Sequence, residues 1–167
     1  MDEQAYGEVF AAHRDRVFAL ALRICGDPAQ AEDAVAEAFA RTYVHWRKGR
    51  VDDVGAYVRR AVVNEINSGW RRRAVERAWR DRRNGDARGE RSFDEQAADT
   101  AAFRQALGRL SPQQRAALAL RYWDDLPEAQ IAQTLGCSVG AVKSHLHRGV
   151  RRLRQLLGPD FVAGSLR

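Results

Sequence analysis

Apolar residues recur every three or four positions along almost the whole of this 167-residue chain. Because an α-helix turns once in about 3.6 residues, that spacing collects the apolar side chains of each segment on one face. No stretch alternates convincingly with the two-residue period of a strand. We therefore predict an all-α fold, and a chain of this length has room for one ordinary domain or two small ones.

Glycine and capping residues mark the ends of the predicted helices in the first half of the chain. The first helix ends at Gly26, and the second begins with an N-cap at Asp27 and a first-turn proline at Pro28. The second helix ends at Gly49. A third helix follows and is interrupted at residues 67–69, where asparagine, serine and glycine are weak helix formers.

Residues 81–100 are charged, contain glycine and are nearly free of apolar side chains, which predicts a flexible linker. We therefore divide the chain into two small helical domains, residues 1–80 and 101–160, with a short tail at 161–167. A linker of about 20 residues stretches to roughly 65 Å, which exceeds one turn of DNA, about 34 Å. Two domains joined in this way could contact sites more than one turn apart.

The second domain contains a helix-turn-helix pattern. Residues 111–114, Ser-Pro-Gln-Gln, combine a capping box with a first-turn proline and predict a helix over 112–123. A short helix then ends at Gly136, and Ser138 is placed to cap the long helix that follows. A short helix, a tight glycine turn and a long helix are typical of helix-turn-helix proteins.

The final helix has two chemically distinct faces. Its apolar stripe is formed by Val139, Val142, Leu146, Val150, Leu153 and Leu157. The opposite face contains no carboxylate and carries Lys143, Ser144, His147, Arg148, Arg151 and Arg154. A charged stripe is usually only a solvated surface, but its position after a short helix and a glycine turn favours DNA recognition.

Positive charge is concentrated in two blocks of the sequence. The chain has a net charge of +6, from 28 lysines and arginines against 22 acidic residues. Residues 59–83 contain nine arginines and three acidic residues, residues 143–167 contain six basic residues and one acidic residue, and the remainder is net acidic. Charge needed only for solubility would not be segregated in this way, so the pattern favours two separate contacts with nucleic acid.

Residues that support catalysis or metal binding are sparse. Cys25 and Cys137 are far apart and form no CxxC pair, and His145 and His147 lack the i, i+4 spacing of a helical metal site. No phosphate loop or nucleophile motif occurs. The first four residues are acidic rather than typical of a signal peptide, and no apolar run approaches a membrane span. We expect a cytoplasmic binding protein without a cofactor or metal, rather than an enzyme.

Three stretches of the sequence resemble a known family. They are Ala31–Phe39, Ala56–Asn64 and Cys137–Arg148, of which the last is the most specific. The chain resembles the sigma-70 family RNA polymerase sigma factors of the extracytoplasmic-function (ECF) subgroup over nearly everything from Tyr6 to Leu157. The run Val63–Arg73 resembles an actinobacterial branch of that subgroup. The resemblance implies an alternative sigma factor that binds core RNA polymerase and directs promoter-specific transcription initiation, and we expect a monomer.

The first stretch resembles region 2.2, which in this family docks on the coiled-coil clamp helices of the polymerase β′ subunit. Asp33, Glu37 and Arg41 are spaced by four residues and lie together on the second helix, off its apolar line. Taken alone, these residues would indicate only a solvated helix face. The family usually has glutamine at the position of Ala36, so one polar contact is missing here. The resemblance also implies a contact with the polymerase β flap.

The second stretch resembles regions 2.3 and 2.4, which open the promoter −10 element and hold non-template bases. Asn64, Asn67 and Ser68 are the expected readers of a flipped base edge, and Tyr57 or Trp70 is the expected stacking residue. Trp70 is equally consistent with burial between helices. Many relatives have tryptophan at the position of Tyr57 and aspartate or asparagine at that of Ser68. The expected phosphate contacts are Arg59, Arg60, Arg71, Arg72, Arg73 and Arg77.

The third stretch resembles region 4.2, whose recognition helix enters the major groove at the −35 element. The expected −35 residues are Ser138, Lys143, Ser144, His147, Arg148 and Arg151, with Arg152 and Arg154 as further phosphate contacts. Lysine and arginine favour the O6 and N7 atoms of guanine, so we expect a −35 element that contains guanine. His145 lies nearer the apolar boundary, where a packed or phosphate-contacting histidine is expected.

One alternative function shares much of this pattern. A two-domain DNA-binding regulator that acts without polymerase would also contain a helix-turn-helix. The first domain favours a sigma factor, because a docking-like helix precedes an aromatic and arginine-rich segment. Binding to core RNA polymerase discriminates between the two functions. An anti-sigma protein that holds the factor inactive is a further expected partner, and the sequence leaves its identity open.

Overall fold

The computed structural model describes residues 3–81 and 98–161, and these residues form seven helices and no strand. The all-α prediction, with two small helical domains, is confirmed. Residues 82–97, which make up most of the predicted linker, lie outside the described residues. The helices are α1 (Glu3–Cys25), α2 (Pro28–Arg47), α3 (Val54–Asp81), α4 (Ala98–Gly108), α5 (Pro112–Tyr122), α6 (Glu128–Leu135) and α7 (Val139–Leu157).

The predicted capping residues begin the helices as expected. The backbone N–H of Gln30 donates to Asp27 at 3.1 Å, and the hydrogen bonds from Gln30 lower the pKa of the Asp27 carboxyl below its ordinary value. Ser111 and Gln114 form the predicted capping box at the start of α5. Gly136 ends α6 with φ at 65°, a left-handed conformation that glycine adopts without steric cost.

The predicted interruption at residues 67–69 is wrong, because α3 continues through it to Asp81 as one helix. Ile66 and Trp70 flank the three weak helix formers and are both buried. Placing these three residues in a helix costs less than about 1 kcal/mol each relative to alanine. Burial of the residues on both sides of the segment outweighs this cost.

The first domain is built from α1, α2 and α3, which pack around a shared apolar core. Leu20, Ile24, Val58 and Val62 are fully or almost fully buried there. At its edge the hydroxyl of Tyr6 donates to the Phe39 carbonyl at 2.6 Å, and burial raises the pKa of Tyr6 to about 12. No helix among the described residues is both long enough and apolar enough to cross a membrane.

The second domain consists of α4 to α7, with α5 packed closely against α7. Val142 and Leu153 of α7 and Leu118 of α5 are completely buried. Gly149 allows the close approach, because a Cβ atom at this position would lie 2.9 Å from Leu118 Cδ1. The apolar stripe predicted for the last helix therefore faces the core from Val142 to Leu157, whereas Val139, its first predicted member, is 40% exposed.

The two domains pack directly against each other, which the sequence did not predict. Helices α1 and α3 contact α5, and α3 also contacts α6. One apolar cluster includes Val62 and Ile66 of the first domain together with Ala116, Ala117 and Ile131 of the second. The recognition elements of both domains consequently belong to one compact unit.

The packing at Gly149 predicts the effect of one added methyl group. Gly149→Ala should lower the free energy of unfolding by about 1 kcal/mol, because overpacking costs about 1–3 kcal/mol and helix propensity returns part of it. Gly140→Ala is the matched control in α7, since its Cβ would meet only Ser138 Oγ, at 3.9 Å. The control should be at least as stable as the wild type in urea denaturation. Equal stability of the two variants would contradict the close packing of α5 and α7.

Candidate nucleic-acid interface

Helix α7 presents the predicted −35 residues on one exposed face. Ser138 caps the helix by accepting a hydrogen bond from the backbone N–H of Ala141 at 3.1 Å. Burial of the opposite face directs the polar side chains to solvent, and the exposed residues are Lys143, Ser144, His147, Arg148 and Arg151. Exposed cations near the N-terminus of the second helix of a helix-turn-helix suit contact with base edges in the major groove.

Lys143 on this face makes an ion pair within the protein, and His145 lies at the edge of the face. The ammonium group of Lys143 lies 3.8 Å from a carboxylate oxygen of Glu128 in α6, and both side chains are substantially exposed. An exposed ion pair of this kind contributes little to stability, so the ammonium group can change partners. His145 is half-buried, and burial together with the positive charge of Arg148 lowers its pKa. It therefore lies apart from the exposed recognition face.

The three predicted docking residues lie together on α2, but Arg41 also has a structural role. Its guanidinium group bonds Glu37 at 2.9 Å and Glu65 of α3 at 3.0 Å. Glu65 in turn accepts from Arg72 at 3.2 Å. Asp33 and Glu37 are exposed. Arg41 thus joins α2 to α3 while its side chain stays 54% exposed, so all three predicted docking residues are accessible to a partner.

Helix α3 carries all ten predicted −10 residues, and the structure divides them by exposure. Arg60, Asn64, Arg71 and Arg72 are exposed. Tyr57, Arg59, Asn67, Ser68 and Arg73 are half-buried, and Trp70 is buried. The Arg77 side chain, a further predicted phosphate contact, lies outside the described side chains. The −10 residues therefore do not form one open face like that of α7.

Arg59 is held by the second domain. Its Nε lies 2.7 Å from Oδ2 of Asp124, and Nε of Arg16 in α1 lies 3.3 Å from the other oxygen of the same carboxylate. The Asp124 side chain is only 5% exposed. The sequence does not predict the roles of Arg16 and Asp124, because nothing local to either residue indicates a partner more than 60 positions away.

Arg115 makes a second polar contact between the domains. It is 2% exposed, and its Nη1 donates to the Ile24 carbonyl at the end of α1, at 3.0 Å. Its Nη2 donates to the carbonyls of Gly108 and Leu110, each at 3.3 Å. The guanidinium carbon lies 5.2 Å from the centre of the Trp70 ring. Several carbonyls therefore compensate the burial of this charge, as a buried ion requires.

Trp70 is accordingly buried between the domains, which was the alternative left open for it. Residues 115–120 are apolar except for Arg115. This single arginine is the sequence signal that could have indicated the contact. Such a residue is rarely fully buried without partners, so it predicts an acceptor on a neighbouring element.

A cavity of about 260 Å³ separates α3 from the start of α5 and from the helix-turn-helix. Its walls include Asn64, Asn67, Trp70 and Arg71 on one side, with Gln113, Leu135, Cys137 and His145 among those on the other. The indole N–H of Trp70 and the side-chain oxygen of Asn67 are buried without hydrogen-bond partners. The two domains are therefore not in full contact at this place.

Other chemistry is scarce in the part of the chain that the structure describes. Within it, no group of three histidine, cysteine or acidic side chains is arranged to hold a metal ion. Cys25 is buried and Cys137 half-buried, and burial raises the pKa of both thiols. Both thiols are therefore poor nucleophiles at neutral pH.

These features define a two-domain helical protein with an exposed DNA-recognition helix, and the comparisons with known proteins identify its family. Residues 9–76 match the family model Sigma-70 region 2, and residues 100–153 match Sigma-70, region 4. An RNA polymerase sigma-E factor of Streptomyces antibioticus is 36% identical over 154 residues, which cover 91% of this chain and 84% of the relative. The ECF RNA polymerase sigma factor SigL of Mycobacterium tuberculosis is 32% identical over 162 residues, covering 89% and 86%.

A solved structure has the same fold. The sigma factor RpoE of Bartonella quintana, crystallised with the anti-sigma factor NepR, aligns with a TM-score of 0.74 at 23% identity, covering 95% of this chain and 99% of RpoE. The present chain belongs to the sigma-70 family of RNA polymerase sigma factors, in the ECF subgroup. It is an alternative sigma factor that directs promoter-specific transcription initiation, which confirms the prediction from sequence.

Proposed function

We propose that α7 reads the −35 element as duplex and that α3 holds the −10 element as opened strand. The exposed cationic face of α7 is the main support for this division. Helix α3 differs from it, because it combines arginines with amide and aromatic side chains. Duplex recognition needs a projecting helix, whereas a separated strand needs groups that hold unstacked bases.

At the −35 element, residues in the first three turns of α7 contact base edges. Lys143, Ser144, His147 and Arg148 have the position and exposure for this role. Arg151, Arg152 and Arg154 lie further along the helix and contact phosphates. Because lysine and arginine pair with guanine O6 and N7, the −35 element contains guanine.

At the −10 element, base capture offsets the cost of opening the duplex. Separating each base step costs about 1.4 kcal/mol of stacking. Asn64, Asn67 and Ser68 lie within little more than one turn of α3 and provide donors and acceptors for one flipped base. Arg60, Arg71 and Arg72 are exposed and contact the strand phosphates.

Two partners complete the proposal. The exposed carboxylates of Asp33 and Glu37 contact the β′ clamp helices of core RNA polymerase, and the second domain contacts the β flap. An anti-sigma protein binds the apolar groove of about 450 Å³ between α1 and α4, where Leu22, Phe103 and Leu107 line the walls. The complex named for the Bartonella quintana relative supports this type of partner.

Co-elution with core RNA polymerase, followed by run-off transcription on fragmented genomic DNA, tests the proposal. The chain should bind the core enzyme and initiate at a defined set of promoters, whose aligned sequences give the −10 and −35 elements. A chain that binds promoter DNA but neither binds core polymerase nor initiates would instead be a regulator that acts alone.

Arg148 should contribute base-specific binding. Arg148→Ala is expected to cost about 1–3 kcal/mol of binding free energy on the −35 duplex and to relax the preference at one base. Arg152→Ala is the matched control on the same helix, and it should weaken binding to all duplexes alike. Fluorescence anisotropy with a set of single-base variants of the −35 duplex measures both effects. Equal loss on every duplex for Arg148→Ala would make Arg148 a phosphate contact only.

Asn64 and Ser68 should act after polymerase binding. The double variant Asn64→Ala, Ser68→Ala should lower open-complex formation, measured by permanganate reactivity of promoter thymines, and leave core binding unchanged. The reciprocal control, Asp33→Asn with Glu37→Gln, should weaken binding to the core enzyme. Normal promoter opening by the first double variant would remove the proposed base pocket.

A further inference from the structure

We propose that Glu65 is a positioning residue that couples docking on core RNA polymerase to the holding of the −10 strand. Its carboxylate bonds one residue from each of the two predicted sets, Arg41 of the docking set at 3.0 Å and Arg72 of the −10 set at 3.2 Å. Glu65 itself belongs to neither set. The proposal rests on the roles of these two surfaces stated above.

Residues of both sets line one cleft of about 480 Å³ between α2 and α3. Its walls include Asp33, Glu37 and Arg41 of the docking set and Arg72 of the −10 set. Glu65 lines the same cleft, and its side chain is only 13% exposed. A partner that changes the ion pairs on one side of the cleft therefore acts on a carboxylate that also serves the other side.

Four side chains across this cleft form a row of alternating charge. Glu37 accepts from Arg41 at 2.9 Å, and Arg41 also bonds Glu65. Glu65 in turn accepts from Arg72. Arg41 and Arg72 are both more than half exposed, so they exchange one partner for another at little cost, whereas Glu65 keeps its place in the cleft.

A contact at the polymerase end of this row changes the DNA end. A cationic group of polymerase that binds the Glu37 carboxylate weakens the pair between Glu37 and Arg41. Arg41 then bonds Glu65 with both arms of its guanidinium fork. Because Glu65 now holds Arg72 less strongly, Arg72 becomes available to a DNA phosphate.

The coupling also operates from the DNA end. A phosphate that binds Arg72 leaves one oxygen of Glu65 unpaired, so Arg41 turns towards Glu65 and releases Glu37 to polymerase. Thermodynamic linkage requires the two effects to be equal. Glu65 thus favours the chain with both ligands bound over the chain with either ligand alone.

Arg71 provides a matched comparison within α3. It is adjacent to Arg72, carries the same charge and is also exposed, but it bonds the hydroxyl of Ser68 at 3.1 Å. Both arginines are proposed to contact the strand phosphates. A role of Glu65 through Arg72 should therefore depend on one arginine and not on the other, whereas a general effect of charge would involve both.

The first experiment measures binding of the free chain to a fluorescein-labelled random single-stranded 20-mer pool by anisotropy. Glu65→Gln should bind the pool about threefold more tightly, because Arg72 no longer has a competing carboxylate. This gain should disappear in an Arg72→Gln background and persist in an Arg71→Gln background, although each background has lost one arginine. An equal gain in the two backgrounds would overturn the proposal.

The second experiment measures binding of the labelled full chain to core RNA polymerase, with and without a saturating amount of the unlabelled pool. The pool should tighten core binding by about fivefold for the wild type and by less than about twofold for Glu65→Gln. Glu32→Gln is the control, because it removes the same charge from an exposed position of α2, and it should keep the full effect. An undiminished effect in Glu65→Gln, or an equal loss in Glu32→Gln, would contradict the coupling.

A purely structural role of Glu65 predicts a different result. In that case Glu65→Gln would lower the midpoint of urea unfolding and weaken both kinds of binding, but the pool would still tighten core binding by the wild-type factor, which overturns the proposal. Arg41→Gln interrupts the row at a second position and should also reduce the effect of the pool to less than about twofold, so it decides the outcome if Glu65→Gln does not fold.

Failure of the proposed docking surface gives a separate outcome. A wild type that does not bind core polymerase would refute the docking role stated above. The comparison of the two arginine backgrounds uses the free chain alone, so it would still decide whether Glu65 competes with DNA for Arg72.

Discussion

The burial of one guanidinium group, that of Arg115, determines how the two domains of this sigma factor are joined. Its donors meet carbonyls at the ends of α1 and α4, where the last turns of a helix leave acceptors unpaired and carry partial negative charge. One cation thus compensates the ends of two helices from different domains. Breaking this contact while the charge stays buried is costly, so the domains can separate only if Arg115 reaches water.

The sequence predicted the features that depend on neighbouring residues. Asp27, Ser111 and Ser138 cap the helices that follow them, and the two faces of α7 follow from the spacing of its apolar residues. It did not predict the contacts of Arg115 with Ile24 and of Arg16 with Asp124, which join positions 91 and 108 residues apart. The error at residues 67–69 has the same origin, because the buried position of Trp70 depends on α5.

The distribution of charge along the sequence indicated the function of the protein, but it did not indicate the role of each arginine. The segregation of basic residues favoured two contacts with nucleic acid, and each basic block begins within a stretch that matches a sigma-70 region. Within α3, however, Arg59 bonds a buried carboxylate while Arg60, one residue later, is exposed. The planar guanidinium group suits carbonyl, carboxylate and phosphate oxygens alike, so composition cannot separate arginines that hold the fold from those that hold DNA.

The continuity of α3 has a geometric consequence. Its 28 residues form a rod of about 42 Å, at about 1.5 Å of rise per residue. The residues proposed to hold the opened strand lie near its middle, and Asp81, where the chain leaves towards the second domain, lies at its end. The rod therefore fixes both the distance and the angle between these two points. Inserting a single residue between them would rotate the exit of the chain by about 100° around the helix axis.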